Sequence, residues 1–205
     1  MKRFFVLIAA LTAFTAVSAN ATTLVVGFNN VGISAGPGIS MTLPGGYLSG
    51  YQALGAGYGI SARFTGAGGK NDATFYAGHL GVGKSFSLNG LGRVTPSLRV
   101  GFQSLNVGMA NLSAGYAGIH VRYVYPVTNA VHLYVAGGFG RDFATSVSGM
   151  KTIGGLEYSG GGGVWFNTGY GALQAGYQYR HLPLSTSSDL HLNTGQVVIG
   201  YAVRF

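Results

Sequence analysis

The sequence lacks cysteine, is poor in charged residues and contains no apolar run long enough for a membrane-spanning helix. Without cysteine, the fold must hold without disulfides. Charged residues form only 8% of the chain, against about 25% in ordinary soluble domains, which argues against a soluble β-sandwich. The most apolar stretch, residues 4–17, falls short of the roughly 20 residues that a spanning helix needs, which excludes a helical membrane protein.

Acidic residues are especially scarce. Beyond residue 21, ten basic residues face only four acids, Asp72, Asp142, Glu157 and Asp189. The basic residues are scattered along the chain, whereas a nucleic-acid-binding protein concentrates them in a patch. The composition therefore predicts no nucleic-acid partner and favours anionic partners such as lipopolysaccharide or anionic solutes.

The amino terminus has the order of a secretory signal peptide. Lys2 and Arg3 form a positive segment, residues 4–17 are apolar, and Ala19-Asn20-Ala21 supplies the small residues of a cleavage site. We expect a leader over residues 1–21, cleaved after Ala21 or alternatively after Ala19. The exported remainder, residues 22–205, is expected to form a single domain.

Hydrophobic residues are abundant, at 47%, but they occur in alternation with small or polar residues instead of in blocks. A period of two predicts β-strands, and segments of about 9–13 residues suit tilted strands that cross a bilayer. The 37 glycines fit crowded inward faces and tight curvature. The eight clearest segments are residues 54–64, 76–86, 94–103, 117–125, 131–142, 156–167, 173–180 and 194–205.

The first 25 residues after the expected leader leave two strand counts open. Residues 24–28 and 31–43 each alternate, Asn29-Asn30 offers a turn between them, and Pro44-Gly45-Gly46 breaks the pattern. One more hairpin gives ten strands, which is the preferred count. The alternative is eight strands with this segment inside the barrel or in the periplasm.

The connectors alternate between short and long, as in outer-membrane barrels, where short turns face the periplasm and longer loops face outward. By this phase the brief connector Leu105–Leu112 is an outer one. The predicted short turns are Asn89–Gly92, Val127–Ala130 and Thr168–Gly171, and the predicted longer loops are Thr65–Asp72, Ala144–Gly154 and Pro183–Asn193.

The last segment, Thr194–Phe205, is similar to the closing strand of bacterial outer-membrane barrels. Gly200, Tyr201, Val203 and Phe205 match the terminal signal of that class, which the barrel-assembly machinery reads, while Val198 stands where a polar residue is typical. We therefore expect a closed, antiparallel, up-and-down transmembrane β-barrel of eight to ten strands in the outer membrane. Periplasmic chaperones, outer-membrane lipid and lipopolysaccharide are the expected partners, and the oligomeric state is left open.

The predicted inward face carries the polar residues. Inside a small barrel these side chains are expected to interlock around Glu157 as a structural network, because each buried guanidinium needs an acceptor. The alternative is a narrow anion-preferring pore, favoured by the excess of arginine. The inward residues are Arg63, Arg99, Gln103, His120, Arg122, Asp142, Glu157, Gln178 and Arg180, with His132 and Gln174 on the same faces.

An enzyme is a weaker alternative. His181, followed by the serine-rich residues 185–188, has the outline of a lipid A deacylase, but the motif departs, since His181-Leu182-Pro183-Leu184 replaces His-x-Ser-Asn and Asp189 lies too close. The five histidines show no metal-ligand spacing. We therefore predict no catalytic site, no metal and no cofactor.

Two segments carry a family resemblance. E-Y-S-G-G-G-G-V-W-F (Glu157–Phe166) and L-Q-A-G-Y-Q-Y-R (Leu173–Arg180) resemble the carboxyl half of YfaZ-type outer-membrane proteins. Gln178 replaces the usual arginine, and Arg180 is placed to take its role. The resemblance implies a location and a fold but no activity, so the predicted role is structural or interactive, with the outer loops as contact surfaces.

Overall fold

The computed structural model describes residues 22–36, 38–70, 72–185 and 190–205. The expected leader, residues 1–21, and Asp189 lie outside this part of the chain. The strands are β1 (Thr22–Ala35), β2 (Ile39–Gly55), β3 (Tyr58–Gly68), β4 (Thr74–Lys84), β5 (Phe86–Ser87), β6 (Arg93–Val107), β7 (Ala110–Pro126), β8 (Val131–Val147), β9 (Met150–Thr152), β10 (Leu156–Thr168), β11 (Gly171–Pro183) and β12 (His191–Arg204).

Ten long strands close into an antiparallel barrel, which confirms the preferred count of ten. Each long strand pairs with its neighbours in the chain, β8 pairs with β10, and β12 closes the ring against β1, where Thr23 lies opposite Arg204. The short strands β5 and β9 add to β6 and β8. Among the described residues, no helix is long and apolar enough to span a membrane.

The predicted turn at Asn29-Asn30 is wrong, because β1 runs through it and the chain reverses at residues 36–38. The apolar residues change face within this one strand. Phe28 points outward and is 82% exposed, whereas Val31 points inward and is fully buried. A turn would also shift the apolar residues from even to odd positions in the sequence. The pattern therefore could not distinguish a turn from a change of face within one strand.

The predicted break at Pro44-Gly45-Gly46 is also wrong, because β2 continues through these residues. Pro44 pairs with Asn30 of β1, but the pairing of β2 with β3 begins only at Gly45. Proline lacks an N–H, so it is tolerated where a strand has one partner. The reversal lies instead at Ala56-Gly57, where both residues have positive φ, inside the segment 54–64 predicted as one strand.

The connectors at the two ends of the barrel differ less in length than the connector phase predicted. At the terminal end, where Thr22 and Phe205 exchange backbone hydrogen bonds, the turns are short and include residues 127–130 and 169–170. At the opposite end, which we call the loop end, the strands extend further than predicted. The Leu105–Leu112 connector, for example, is reduced to Gly108 and Met109 between β6 and β7.

The outer surface of the barrel is an apolar belt. Large hydrophobic side chains are exposed on every long strand, which is far more apolar surface than soluble monomers expose. Representative members are Val26, Phe28, Leu54, Phe64, Leu80, Leu98, Val121, Val135, Phe166, Leu173 and Ile199.

The interior is divided in two. At the loop end it is filled by a hydrophobic cluster, which we call the apolar plug. Towards the terminal end it opens into a polar cavity, beside which a smaller cluster packs around Tyr47 and the fully buried Val198. The plug consists of Val31, Ile33, Ala35, Leu43, Ala67, Ala73, Phe75, Leu105, Leu112, Ala114, Tyr116, Leu182, Leu184 and Leu192.

Candidate functional site

The polar cavity lies between the apolar plug and the terminal end and has a volume of ≈ 770 Å³. We call it the arginine cavity, because Arg63, Arg99, Arg122 and Arg180 line it. Its wall includes Gly57, Ser85 and Arg204, which lie at the terminal end, so the cavity reaches that mouth. Towards the loop end the wall includes Gln103 and Tyr116, and Tyr116 also belongs to the plug. In the part of the chain that the structure describes, the cavity therefore opens at the terminal end and is bounded by the plug towards the loop end.

Strand alternation brings four arginines to this wall from separate parts of the barrel. Arg63 lies on β3, Arg99 on β6, Arg122 on β7 and Arg180 on β11, and each belongs to the inward face of its strand. Of the other predicted inward residues, the wall includes Gln103, His120, His132, Gln174 and Gln178.

Aromatic rings support three of the arginines. The Arg122 guanidinium carbon lies 4.7 Å from the centre of the Tyr134 ring and 4.2 Å from that of Trp165. Arg63 lies over Tyr47 at 4.4 Å and Arg180 over Tyr116 at 3.9 Å. A ring face attracts a cation and fixes its position without neutralising its charge.

The aromatic contacts are the part of the site that sequence reasoning missed. Tyr134 shares its face of β8 with His132, and Trp165 shares its face of β10 with Glu157, so both were inward by alternation. Alternation along each strand therefore indicated that both rings face inward. It did not indicate which side chain of another strand each ring would contact.

Glycines make room for these rings. A Cβ on Gly163 would lie 2.8 Å from Tyr134 Cε1, and one on Gly176 would lie 2.3 Å from Tyr134 Oη. The Tyr134 ring therefore lies against the neighbouring strands only because those positions lack side chains. The ring accounts for Gly163 in the glycine run of β10, but not for Gly160, where a Cβ would have its nearest contact 4.0 Å away.

The two inward carboxylates do not balance the arginines. Glu157 is 4% exposed, and its Oε2 lies 3.8 Å from Arg180 Nε. Asp142 is equally buried but lies towards the loop end beside Gly154, outside the cavity wall, and its carboxylate has no hydrogen-bond partner among the described residues. Among the described residues, the predicted network around Glu157 is thus reduced to one ion pair.

Arg99 is the least compensated of the four arginines. Within the described part of the chain it has no carboxylate partner and no ring contact, and its Nε is buried without an acceptor. Arg63 donates one hydrogen bond, from Nη1 to Gln178 Oε1 at 2.9 Å, but its Nη2 has no partner. The cavity therefore carries several positive charges that the described protein groups leave unpaired.

His181 belongs to a different place, the outward face of β11. Its Nδ1 lies 2.6 Å from Asn193 Oδ1, and its ring stacks on Tyr158 with the ring centres 4.7 Å apart. Residues 186–189, which include the expected acid, lie outside the described residues. Among those described, no three His, Asp or Glu side chains converge as a metal site.

Comparison with known proteins concerns the fold alone. No protein-family model matches the sequence, and no curated protein matches it. Among solved structures, the β domain of the Bordetella autotransporter BrkA is similar with a TM-score of 0.57 and 15% identity, over 91% of this chain and 100% of that one.

Two other solved structures give weaker likenesses. Neisserial surface protein A matches with a TM-score of 0.45 and 15% identity, over 91% of this chain and 100% of that one. Ail of Yersinia pestis matches with a TM-score of 0.43 and 14% identity, over 92% of this chain and 100% of that one. The chain thus has an outer-membrane type of β-barrel fold, closed by ten antiparallel strands.

Proposed function

We propose that the protein is an integral outer-membrane β-barrel that does not conduct and acts structurally or through its outer hairpins. The apolar belt supports insertion, because exposed Val, Leu, Ile and Phe side chains around a closed barrel match a lipid environment. The short turns at the terminal end support an orientation with that end in the periplasm, since barrels of this class keep their short turns there.

The apolar plug is the observation that carries the non-conducting role. Phe75, Leu105 and Leu182 are fully buried inside the barrel at the loop end. An ion crossing the barrel would have to leave water to pass between them, which is strongly unfavourable. The alternative, a narrow anion-preferring pore, is favoured by the arginines but requires the plug to open.

Membrane lipid, lipopolysaccharide and the barrel-assembly machinery with its chaperones are proposed as partners. Among the predicted assembly residues, Tyr201 lies outward on the strand that closes the ring, at a depth suited to an interfacial aromatic. Gly200 lies inward, where a Cβ would come 2.3 Å from Tyr47 Oη. The exposed hairpin tips at the loop end, such as Met109, are the proposed contact surface.

A YfaZ-like family is proposed on the two resembling segments. They form the neighbouring strands β10 and β11, with Ser159 directly opposite Arg180 in the register. The contact between Arg180 and Glu157 supports the suggestion that Arg180 takes the role of the arginine that Gln178 replaces.

A non-catalytic protein is part of the proposal. The hydrogen-bond partner of His181 is the side-chain amide of Asn193. This amide is neutral, so it cannot stabilise a protonated histidine as the carboxylate of a catalytic triad does. Lipid A extracted from cells that express the protein should therefore keep its acyl chains. Acyl loss that disappears with His181→Ala would establish the hydrolase instead.

Single-channel recording in a planar bilayer tests the non-conducting role. We expect no conductance steps from the refolded protein, with insertion verified separately by its resistance to urea extraction. A variant that opens the plug, Phe75→Gly with Leu105→Gly, should give anion-selective steps and so show that the assay can detect this lumen. Steps from the unaltered protein, with a selectivity that Arg99→Gln changes, would establish the pore.

A further inference from the structure

We infer that the arginine cavity binds a small molecule that carries two or more phosphate or carboxylate groups. The cavity opens at the terminal end, so the ligand enters and leaves on that side. That this side is the periplasm rests on the proposed orientation, but the binding chemistry does not.

The charge of the cavity requires an anion. Arg63, Arg99 and Arg122 have no carboxylate partner in the described residues, and Arg180 shares Glu157 at 3.8 Å. A guanidinium removed from bulk water is costly unless an anion or several acceptors compensate it. A monovalent anion compensates one such charge, whereas one ligand with several phosphate or carboxylate groups compensates several arginines at the same time.

Several guanidinium donors are unsatisfied. Arg99 Nε, Arg122 Nε and Arg63 Nη2 are buried and have no partner among the described protein atoms. Guanidinium groups present paired N–H donors that match phosphate and carboxylate oxygens, and such charge-assisted hydrogen bonds are among the strongest in proteins. The unpartnered atoms thus have the chemistry of an oxyanion site.

The arginines are held in place before any ligand arrives. The rings of Tyr47, Tyr116 and Tyr134 support Arg63, Arg180 and Arg122 from one side. Side chains that are already ordered lose less entropy on binding, so preorganisation raises affinity. A lumen that contained only water would not require arginine side chains held in position by aromatic rings.

Size and access also suit a small ligand. A volume of ≈ 770 Å³ falls within the range of about 300–1,000 Å³ that is typical of small-molecule sites. Arg93 and Arg204 lie on the wall near the mouth, where their charge would draw anions in from solution.

Isothermal titration calorimetry of the refolded protein in a zwitterionic detergent tests the inference. Pyrophosphate and citrate are the probes, and inorganic phosphate and chloride are the low-valence references, all at 0.15 M salt. We expect saturable binding of at least one probe, more than tenfold tighter than the references. The stronger probe identifies the phosphate or the carboxylate class.

Three variants make the test specific. Arg99→Gln should weaken probe binding about tenfold or more, because a charge-assisted hydrogen bond is lost. Glu157→Gln should tighten it about 3- to 10-fold, because Arg180 loses its internal competitor. Lys151→Gln removes the same charge from an exposed site on β9 and should leave binding unchanged.

Millimolar binding that ignores valence, or equal losses in Arg99→Gln and Lys151→Gln, would overturn the inference, since either result describes a diffuse counterion atmosphere. Retention of the folded band on unheated gels shows that a variant still forms the barrel. Conductance separates the two proposals. Probe binding together with ion conduction would contradict the non-conducting role but support the binding site. A silent bilayer without probe binding would contradict only the binding site.

Discussion

The two halves of the barrel interior are built on the same strands by the same alternation, yet one is apolar and the other is positively charged. On β6, Leu105 joins the plug and Arg99 faces the cavity from the same side of the strand. The plug half buries a continuous hydrophobic cluster, as an ordinary protein core does. The cavity half keeps charges that the described residues do not neutralise.

The outer surface shows the opposite arrangement. Beside the plug the outward residues are polar, as with Asn30, Asn106 and Asn111, whereas beside the cavity they are apolar, as with Leu98 and Ile119. The distribution of polar and apolar residues between the inner and outer faces therefore reverses where the strands leave the apolar belt. Towards the loop end the barrel resembles a soluble barrel with a hydrophobic core, and towards the terminal end it has the pattern of a transmembrane barrel.

The largest expected effect comes from emptying the plug. Phe75→Ala should lower the free energy of unfolding by about 3–5 kcal/mol, because it removes a fully buried ring and leaves a cavity. Phe28→Ala is the matched control, since Phe28 is 82% exposed and detergent can refill its place. Urea unfolding in micelles measures both, and equal losses would mean that the plug does not stabilise the barrel as a core does.

A smaller effect should follow from breaking the one ion pair of the cavity half. Arg180→Gln leaves Glu157 buried without a cation, at a cost of about 2–3 kcal/mol. Adding Glu157→Gln to that variant should recover most of the loss, because the unpaired buried carboxylate is then removed. A double-mutant cycle of unfolding free energies checks this, and simple additivity of the two losses would show that the contact carries no coupling.

The smallest effect concerns the glycines under the rings. Gly163→Ala should cost about 1–3 kcal/mol, because its Cβ would meet Ala175 O at 2.2 Å and the Tyr134 ring at 2.8 Å. In Gly160→Ala, in the same run, the nearest contact of the new Cβ would be Ala136 O, 4.0 Å away, so this change should be close to neutral. Similar melting temperatures for the two variants would separate ring packing from the stability of the cavity half.

Much of the site was accessible from the sequence, because alternation is a local property. Arg63, Arg99, Arg122 and Arg180 were assigned inward from their own strands, and the structure places them on one wall. The expected network was not accessible in the same way. Asp142 has the right parity but lies beside Gly154, because its height in the barrel depends on strand register and on the irregular pairing between β7 and β8.

The sequence by itself determined the class of fold and the inward face on which Arg63, Arg99, Arg122 and Arg180 lie, since a period of two needs only neighbouring residues. It left the number of long strands at eight or ten. Only the tertiary structure decided where the first two turns fall, that Tyr134 and Trp165 hold Arg122, and that Phe75, Leu105 and Leu182 close one end. The physical reason is that an apolar residue can face either lipid or a core. Which of the two it faces depends on its height in the closed barrel, and that height is set by pairing between strands and not by the local pattern.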